Sequence, residues 1–357
     1  MTLKGATLQG VYSKSFMKNY KNKYETLHCH SKVSDGLMTY EEILNVCNSN
    51  NIGVVAFTDH DSIPNKITLK NLENLKAHPV KWVVGIEMSA NKPGDFIDDF
   101  SPHIVGLFVD PFNKELVRHC EMAQEARRIR MAKIVKGLKS LGFQITERDC
   151  LKASKGEAVG RPHIVQALES QPKYPEVIEK LRRNMEEESK SNEEIKKQYD
   201  EMIRRGKSQY PYVLFLSEDA YIKGVYKSSL YRIELDKCVE IIRGAGGVSF
   251  FAHWFTEIKK CGEDKISKLL KEDRIDGVET VYGFYDDMRD DFIKQRQILQ
   301  DLVKKYHKLE SGGVDAHIKE HLEEFAKDEW YANMTIGLVE NILSSGKVDI
   351  KWSSINK

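Results

Sequence analysis

Histidine and carboxylate side chains recur along this chain next to short apolar segments. The first group is His28-Cys29-His30, which Asp35 follows closely. Because successive side chains of a strand point to opposite faces, His28 and His30 would share one face and could bind one metal ion. Cys29 would point the other way, into packing. Further residues of these types follow at similar positions: His60, Glu87, His103, His253, Asp315 and His317.

This mixture of ligand types predicts a site for more than one metal ion. Imidazole and carboxylate groups together suit Mn, Fe or Zn, and a bridging carboxylate holds two ions about 3.5 to 4 Å apart. Such a pair can share and deprotonate a water molecule. The charge of the ions also offsets the repulsion between an anionic phosphate and a hydroxide, which favours phosphoester hydrolysis.

Seven short apolar segments predict the strands that would position these residues, most of them with a candidate ligand at the strand exit. The segments are residues 24–27, 52–57, 80–86, 104–109, 248–252, 277–281 and 309–314.

Helical patterns lie between several of the predicted strands. Residues 39–50 open with a capping box formed by Thr39 and Glu42, and residues 236–243 end at Gly244. Alternating strands and helices predict a parallel sheet. With seven strands and ligands at their exits, we expect a closed barrel with its site at the carboxyl-terminal mouth.

The middle of the chain predicts a helical insertion in this barrel. Residues 113–142 have a long helical pattern, residues 180–207 are densely charged and predict a mostly solvated helix, and no strand with a ligand lies between them. We therefore predict an insertion over residues 113–227. The candidate core contacts of its first helix are Ala123, Ala126, Ile129, Ile134, Leu138 and Leu141.

Composition narrows the range of partners and compartments. The 55 Lys and Arg residues nearly balance the 54 Asp and Glu residues, so no global charge favours duplex DNA or an anionic membrane. No segment has the length of apolar sequence that a membrane span needs. The six cysteines form no CxxC pair, and residues 1–23 lack the apolar core of a secretory signal. We expect reduced thiols and a cytoplasmic protein, and make no prediction of its oligomeric state.

Seven segments resemble, in order, the motifs of the polymerase and histidinol phosphatase (PHP) family. They are LHCHSKVSDG, AFTDHDS, VVGIEMSA, HIVGLF, GVSFFAHW, DGVETVY and GGVDAH, and the resemblance covers residues 24–319. The phrase VGRPHIVQAL is typical of the branch that cleaves phosphate from small nucleotides and short RNA.

The resemblance implies a distorted (β/α)7 barrel with a mainly helical insertion or cap domain, holding two or three divalent ions (Mn, Fe or Zn). The predicted parts are an arm (1–23), a barrel in two pieces (24–112 and 228–325), the insertion (113–227) and a carboxyl-terminal extension (326–357). It also implies three sets of metal ligands, two of which share one bridging carboxylate. The sets are His28, His30, Glu87 and Asp315; Glu87, His103 and His253; and Asp35, His60 and His317.

The segment Gly160-Arg161-Pro162-His163 is a candidate substrate site. It opens a helical pattern, and free N–H groups beside a guanidinium favour a phosphate, although a plain helix cap has the same signature. If the resemblance holds, Arg161 would bind the phosphate, and His163 would bind it as well or protonate the leaving alcohol.

Two further residues are candidates with open alternatives. Asp59 or Asp61, on either side of His60, could orient that imidazole as a hydrogen-bond acceptor, and Asp59 is our candidate for a catalytic role. Trp254 stands where the family usually has proline after the histidine. Its ring could stack on a base or serve in packing.

The predicted function is hydrolysis of a phosphate ester of a small nucleotide, such as a nucleoside 3',5'-bisphosphate, or of short RNA, by a hydroxide that bridges two ions. A histidinol-phosphate-type phosphatase is the alternative within the family. Outside it, we retain a non-catalytic PHP-like binding protein and a hydrolase of C–N bonds, since amidohydrolases also have histidine-rich barrels.

Overall fold

The computed structural model describes residues 23–96, 101–154, 159–228, 231–253, 262–283 and 289–355. The chain divides into two compact units, which are Met1–Glu121 together with Arg232–Lys357, and Met122–Tyr231. The second unit covers nearly the same residues as the predicted insertion 113–227. The exact limits of arm, barrel, insertion and extension stay a prediction.

The first unit is built on a nearly closed barrel. Its strands follow one another in the order β1-β2-β3-β4-β6-β7-β8, and β5 pairs with the end of β3 outside this path. The Leu27 N–H donates to the carbonyl oxygen of Gly312 at 2.9 Å, which brings β8 back to the end of β1. The strands are β1 Tyr24–Thr26, β2 Ile52–Phe57, β3 Lys81–Asn91, β4 His103–Leu107, β5 Ile233–Glu234, β6 Val248–Phe251, β7 Gly277–Tyr282 and β8 Leu309–Gly313.

The predicted fold class is confirmed, and the seven predicted strands lie within a few residues of the observed ones. All six residues of β2 are buried, as expected for a strand covered on both faces. The two-residue strand β5 was not predicted, since it is too short to produce a pattern.

One expectation of the sheet is wrong, because β4 runs antiparallel to both β3 and β6. The alternation of strands and helices predicted a wholly parallel sheet. The reversal also changes how His103 is placed, since this residue begins β4 instead of following a strand. A reversed strand has its first residue at the rim where the others end, and His103 pairs there with Ser89 of β3.

Thirteen α-helices accompany the strands. The first begins at the predicted capping box, in which Thr39 accepts from the Glu42 N–H and Glu42 accepts from the Thr39 N–H. The helices are α1 Tyr40–Ser49, α2 Lys66–Asn74, α3 Lys114–Ser140, α4 Glu147–Ala153, α5 Arg161–Glu169, α6 Tyr174–Ser189, α7 Glu193–Arg205, α8 Leu235–Gly244, α9 Glu263–Lys271, α10 Arg289–Tyr306, α11 Lys319–Lys327, α12 Glu329–Ala332 and α13 Leu338–Ser344. No helix of the described ranges is long and apolar enough to cross a membrane.

The second unit is helical, as predicted, with two differences in detail. Ile129, a candidate core residue, is 43% exposed, whereas Ile134 and Leu138 are fully buried. The charged segment 180–207 forms parts of two helices instead of one. The second of them, α7, is preceded by Asn192, whose side chain caps it by accepting hydrogen bonds from N–H groups of its first turn.

The carboxyl-terminal segment packs on the barrel of its own unit. The carboxylate of Glu25 in β1 accepts hydrogen bonds from the N–H groups of Gly337 and Val339. Burial raises the pKa of Glu25 to about 7 in spite of these bonds. The Trp82 N–H in β3 donates to the hydroxyl of Ser354 at 2.9 Å. These contacts join the last described residues to two barrel strands.

Candidate metal centre

The structure brings all nine candidate ligands into one cluster at the carboxyl-terminal rim of the barrel. Four overlapping groups have ligand atoms within 4.8 Å of one another, and together they contain these nine residues and no others among the described ones. The groups are His30, Asp35, His60 and His317; His28, His30 and Glu87; His28, His253 and Asp315; and His60, Glu87 and His103.

In the deepest part of the cluster, donor atoms are spaced as closely as the ligands of one metal ion. His30 Nε2 lies 3.2 Å from His28 Nε2, 3.2 Å from Glu87 Oε2 and 2.9 Å from Asp315 Oδ1. His28 Nε2 lies 3.5 Å from that Glu87 oxygen and 3.4 Å from that Asp315 oxygen. Four ligands about 2.0 to 2.1 Å from one zinc ion would be about 3.3 to 3.4 Å apart. The two imidazole nitrogens are therefore spaced from each other and from both carboxylate oxygens as the ligands of one ion would be.

Glu87 connects this part of the cluster to two further histidines. Its Oε1 lies 2.8 Å from Nδ1 of His103 and 2.9 Å from Nε2 of His253, while Oε2 faces His28 and His30. The two carboxylate oxygens thus face two different sets of imidazoles, as a bridging ligand would. Glu87 lies within β3, which continues to Asn91, and not at a strand exit as the apolar pattern indicated.

The outer part of the cluster is organised around Asp35 and His60. Nε2 of His317 lies 3.5 Å from Oδ1 of Asp35, and Nε2 of His60 lies 3.9 Å from Oδ2. His60 also contacts the middle of the cluster, because its Nδ1 is 2.7 Å from Glu87 Oε2. His60 therefore lies between two of the predicted sets instead of belonging to one alone.

Several ligand atoms are close together without being aligned for hydrogen bonds. Within the described ranges, the buried side-chain atoms that have no hydrogen-bond partner include four atoms of candidate ligands: Asp35 Oδ1, His60 Nδ1, Glu87 Oε2 and Asp315 Oδ1. Two of these atoms nevertheless belong to the 2.7 Å pair between His60 and Glu87. Lone pairs that converge on a shared ion produce this combination of short distance and poor alignment. The residues present thus fit a metal centre.

Two candidate ligands are held by an unusual backbone conformation. His253 and Asp315 follow β6 and β8 and have φ angles of 52° and 53°. Residues other than glycine rarely adopt this left-handed region, and such strain concentrates at functional sites. Here it turns both side chains toward the cluster directly after their strands.

Nearby carboxylates dominate the electrostatics of His28. Burial lowers the pKa of His28, but the negative charges of Glu279, Asp315 and Glu87 outweigh burial and raise it well above its usual value. For Glu87, burial raises the pKa, yet His60 and the other nearby imidazoles hold it well below the ordinary range. A cluster with this concentration of negative charge attracts cations.

Asp59 contacts a loop and not the ring of His60. It is buried, and its carboxylate accepts hydrogen bonds from the N–H and hydroxyl groups of Ser31 and Ser34 and from the hydroxyl of Tyr40. The expectation that Asp59 orients His60 is therefore wrong. Its bonds instead fix the loop after β1 that carries Asp35.

Asp61, the alternative partner of His60, is engaged elsewhere as well. Its carboxylate accepts from the N–H and hydroxyl groups of Ser89 at 2.9 Å each, and His119 Nε2 lies 3.1 Å away. The buried His119 thus supports the end of β3 through Asp61. Nothing in its local sequence signals this contact.

Glu279 is a residue that the sequence reasoning missed. It lies in β7, is fully buried, and its Oε1 is 2.7 Å from Nδ1 of His28. Its other oxygen accepts from the backbone N–H of His253 at 3.1 Å. The available signal was a single glutamate within an otherwise buried strand.

Two of the candidate substrate residues, Arg161 and His163, belong to the second unit. Arg161 begins α5 and is exposed, and its guanidinium lies over the rings of Tyr212 and Tyr226 at 5.8 and 5.9 Å. His163 is buried, and its Nδ1 accepts from the Gly160 N–H at 3.0 Å, which is the contact of a helix cap. Trp254 lies outside the described residues.

A barrel with this histidine and carboxylate cluster suggests divalent metal binding. The family model of the PHP domain matches residues 26–344. The chain therefore belongs to the PHP family, as the sequence motifs predicted.

Two curated relatives match part of the chain. A phosphoribosyl 1,2-cyclic phosphate 1,2-diphosphodiesterase of Eggerthella lenta is 30% identical over 152 residues, which are 42% of this chain and 56% of that protein. A 5'-3' exoribonuclease of Haemophilus influenzae is 29% identical over 150 residues, or 41% of this chain and 50% of that protein. The chain thus spans about half the length of the curated relatives it matches.

Two solved structures share the fold. A protein of Bifidobacterium adolescentis described as a metal-dependent phosphoesterase has a TM-score of 0.62 at 20% identity, covering 89% of this chain and 95% of its own. An amidohydrolase of Chromobacterium violaceum has a TM-score of 0.57 at 20% identity, covering 83% of this chain and 88% of its own. At this identity the likeness establishes the fold alone.

Proposed function

We propose that this chain is a metal-dependent phosphoesterase that hydrolyses a phosphate ester of a small nucleotide or of short RNA. The observation that carries the proposal is the arrangement of donor atoms from His28, His30, Glu87 and Asp315, in which the two imidazole Nε2 atoms lie 2.9 to 3.5 Å from each other and from both carboxylate oxygens. Structural ion pairs do not need four converging groups of which three have fully buried side chains.

The three proposed ligand sets are those that the family resemblance implies, and the clustering of all nine residues at the rim supports them. The first is the buried set just described, and Glu87 would bridge it to a second set with His103 and His253. Asp35, His60 and His317 would form the third. Two or three divalent ions held in this way, of Mn, Fe or Zn, would supply an activated water and neutralise phosphate charge.

The chain's own side chains would orient that chemistry. Glu87 and Asp315 set the spacing of the ligand sets, and Asp59 fixes the loop that carries Asp35. The more exposed histidines, His103 and His317, have 25% and 27% of their side chains accessible and would face the substrate.

Arg161 is the proposed phosphate-binding residue. Its guanidinium forms no ion pair within the described ranges, whereas other arginines of the same unit, such as Arg182 and Arg204, are paired with glutamates. Contacts with Tyr212 and Tyr226 restrict its position. A restricted guanidinium without a carboxylate partner is suited to an oxyanion.

Two assignments near the substrate rest on the family resemblance. His163 would bind the phosphate or protonate the leaving alcohol, but its cap contact with Gly160 also favours a purely structural role. Trp254 would stack on a base.

The five described cysteines are free thiols, which supports the predicted cytoplasmic compartment.

Metal analysis combined with a substrate panel tests the proposal. The purified protein, reconstituted with Mn or Zn, would be assayed for phosphate release from nucleoside 3',5'-bisphosphates, short oligoribonucleotides and histidinol phosphate. Opening of phosphoribosyl 1,2-cyclic phosphate would be measured in parallel, because the Eggerthella lenta relative carries that activity in its name. We expect at least two ions per chain and turnover of a nucleotide substrate.

His30→Ala and His78→Ala provide a matched pair of variants. His30 contacts both the deep and the outer groups of the cluster, so its removal should reduce bound metal and abolish turnover. His78 accepts a hydrogen bond from the Val80 N–H and belongs to none of the groups. Its removal should leave both quantities unchanged. Fewer than two ions in the wild type, with no product from any substrate, would instead favour a non-catalytic binding protein.

A further inference from the structure

Glu279 lies behind the candidate metal centre and contacts two of its histidines at once. Its Oε1 is 2.7 Å from Nδ1 of His28, and its Oε2 accepts from the His253 N–H at 3.1 Å. Both side chains of the first pair are fully buried. Glu279 itself belongs to none of the four groups of potential ligands.

The burial of this carboxylate needs an explanation. An isolated buried carboxylate costs several kcal/mol unless it is paired and hydrogen-bonded. Among the described residues, Glu279 has no lysine or arginine partner, and its one ion-pair contact is with His28. The fold alone does not require a charge at this position, because the residues around it in β7 are buried and mostly apolar. The reason for the carboxylate therefore lies in the two histidines.

The contact with His28 determines which ring nitrogen faces the cluster. A carboxylate accepts hydrogen bonds, so Nδ1 of His28 carries the proton. Nε2 lies 3.2 to 3.5 Å from the ligand atoms of His30, Glu87 and Asp315, and its lone pair would then be available to an ion held among them. An imidazole that donates its second N–H to a carboxylate is also a stronger metal ligand.

The contact with His253 acts on the backbone. His253 has a φ of 52°, and its N–H is bound by Glu279 at that strained residue. Loss of this acceptor would allow the turn to relax and would move the His253 side chain away from Glu87. One carboxylate thus acts on two histidines that contact different oxygens of Glu87.

We propose that Glu279 is a positioning residue that fixes the tautomer of His28 and the turn at His253 and thereby sets the affinity for metal. This inference rests on the proposed metal centre and adds a determinant of its strength.

Glu279→Gln is the test variant. It preserves shape and volume, but its single carbonyl oxygen can accept only one of the two hydrogen bonds, and its NH2 group would face the other donor. We expect zinc affinity, measured by competition with a chelator of known affinity, to fall about 10- to 100-fold. Glu310→Gln is the matched control. Glu310 lies in β8 and accepts hydrogen bonds from Thr280 and Gln300, away from the cluster. The affinity of the Glu310→Gln protein for zinc should therefore equal that of the wild type.

Nitrogen NMR of the histidine rings provides a readout that a merely structural role would not change. In the zinc-loaded wild type, His28 should be the Nδ1–H tautomer, with a slowly exchanging ring proton shifted downfield by the carboxylate. That signal should shift or vanish in Glu279→Gln and persist in Glu310→Gln. The wild-type spectrum alone tests the tautomer even if the variant does not fold.

The outcomes separate this inference from the proposed function. A wild type that binds none of zinc, manganese and iron would overturn the metal centre itself. A wild type that binds zinc, together with unchanged affinity in Glu279→Gln or an Nε2–H tautomer of His28, would overturn only the role of Glu279.

Discussion

Gly313→Ala is expected to disrupt the barrel seam, which is the contact between β1 and β8 where the barrel closes. Gly313 ends β8 beside the start of the His28 segment. A methyl group there would lie 2.5 Å from the backbone nitrogen of His28, 2.9 Å from its Cβ and 2.9 Å from the hydroxyl oxygen of Thr26. The nearest of these atoms belongs to the backbone and cannot rotate away. Either β1 or β8 must therefore move, and with it His28 or Asp315.

The size of the effect follows from this geometry. Overpacking of a well-packed core typically costs about 1 to 3 kcal/mol. We expect about 3 kcal/mol here, because all three contacts are below 3.0 Å and one involves backbone. Gly244→Ala is the control, since a methyl group on this residue of α8 meets nothing within 4 Å. As an exposed alanine at the end of a helix, it should leave the free energy of unfolding within about 0.5 kcal/mol of the wild type.

Tryptophan fluorescence during urea unfolding measures the free energy of unfolding of these two variants and reports on the unit that contains the barrel. The chain has four tryptophans, and the sequence positions of all four lie in the unit that contains the barrel. Zinc affinity should fall in parallel, because His28 is displaced. A Gly313→Ala protein whose unfolding free energy stays within about 0.5 kcal/mol of the wild type would refute this account of the barrel seam.

Three further predictions address the site and the fold. His103→Ala should abolish turnover while the circular dichroism spectrum stays unchanged, because the side chain is partly exposed and contacts the cluster. Activity retained in steady-state kinetics would show that His103 is not part of the metal centre. Arg161→Ala should raise KM at least about tenfold with a smaller effect on kcat, since a charge-assisted bond contributes about 1.5 to 3 kcal/mol, and an unchanged KM would argue against phosphate binding by this residue. Burial would raise the pKa of Asp276, but hydrogen bonds from Arg243 and Ser249 hold it below the usual value of 3.8. Its stabilising contribution is therefore present above about pH 4 and lost as the pH falls through the lowered pKa. The difference in unfolding free energy between wild type and Asp276→Asn, measured by urea unfolding, should become smaller toward pH 3. A difference that does not depend on pH would contradict the assignment.

Local patterns in the sequence were sufficient for the barrel and for bringing the candidate ligands together. Continuous apolar segments such as Ile52–Phe57 identify buried strands, and side chains next to such strands collect at one rim. The capping box at Thr39 is equally local, because both of its bonds join residues three positions apart.

The features that were missed depend on contacts between distant parts of the chain. The direction of β4 is decided by its pairing with β3 and β6 and leaves no mark on its own residues. Asp59 and Asp61 flank His60 symmetrically in sequence, yet each bonds to residues 19 or more positions away. Glu279 contacts His28 across 251 positions. Spacing alone could not assign these partners.

The left-handed backbone at His253 and Asp315 lowers the stability of the fold but places two side chains that the proposed function needs. Each such residue costs about 1 to 2 kcal/mol relative to a relaxed conformation, a cost that glycine would avoid. A selection for heat resistance alone would therefore favour glycine at both positions and yield a sturdier barrel without two of its candidate ligands. If many substitutions are screened for higher stability, those that raise stability and also abolish activity should therefore lie at the rim of the barrel and not in its core.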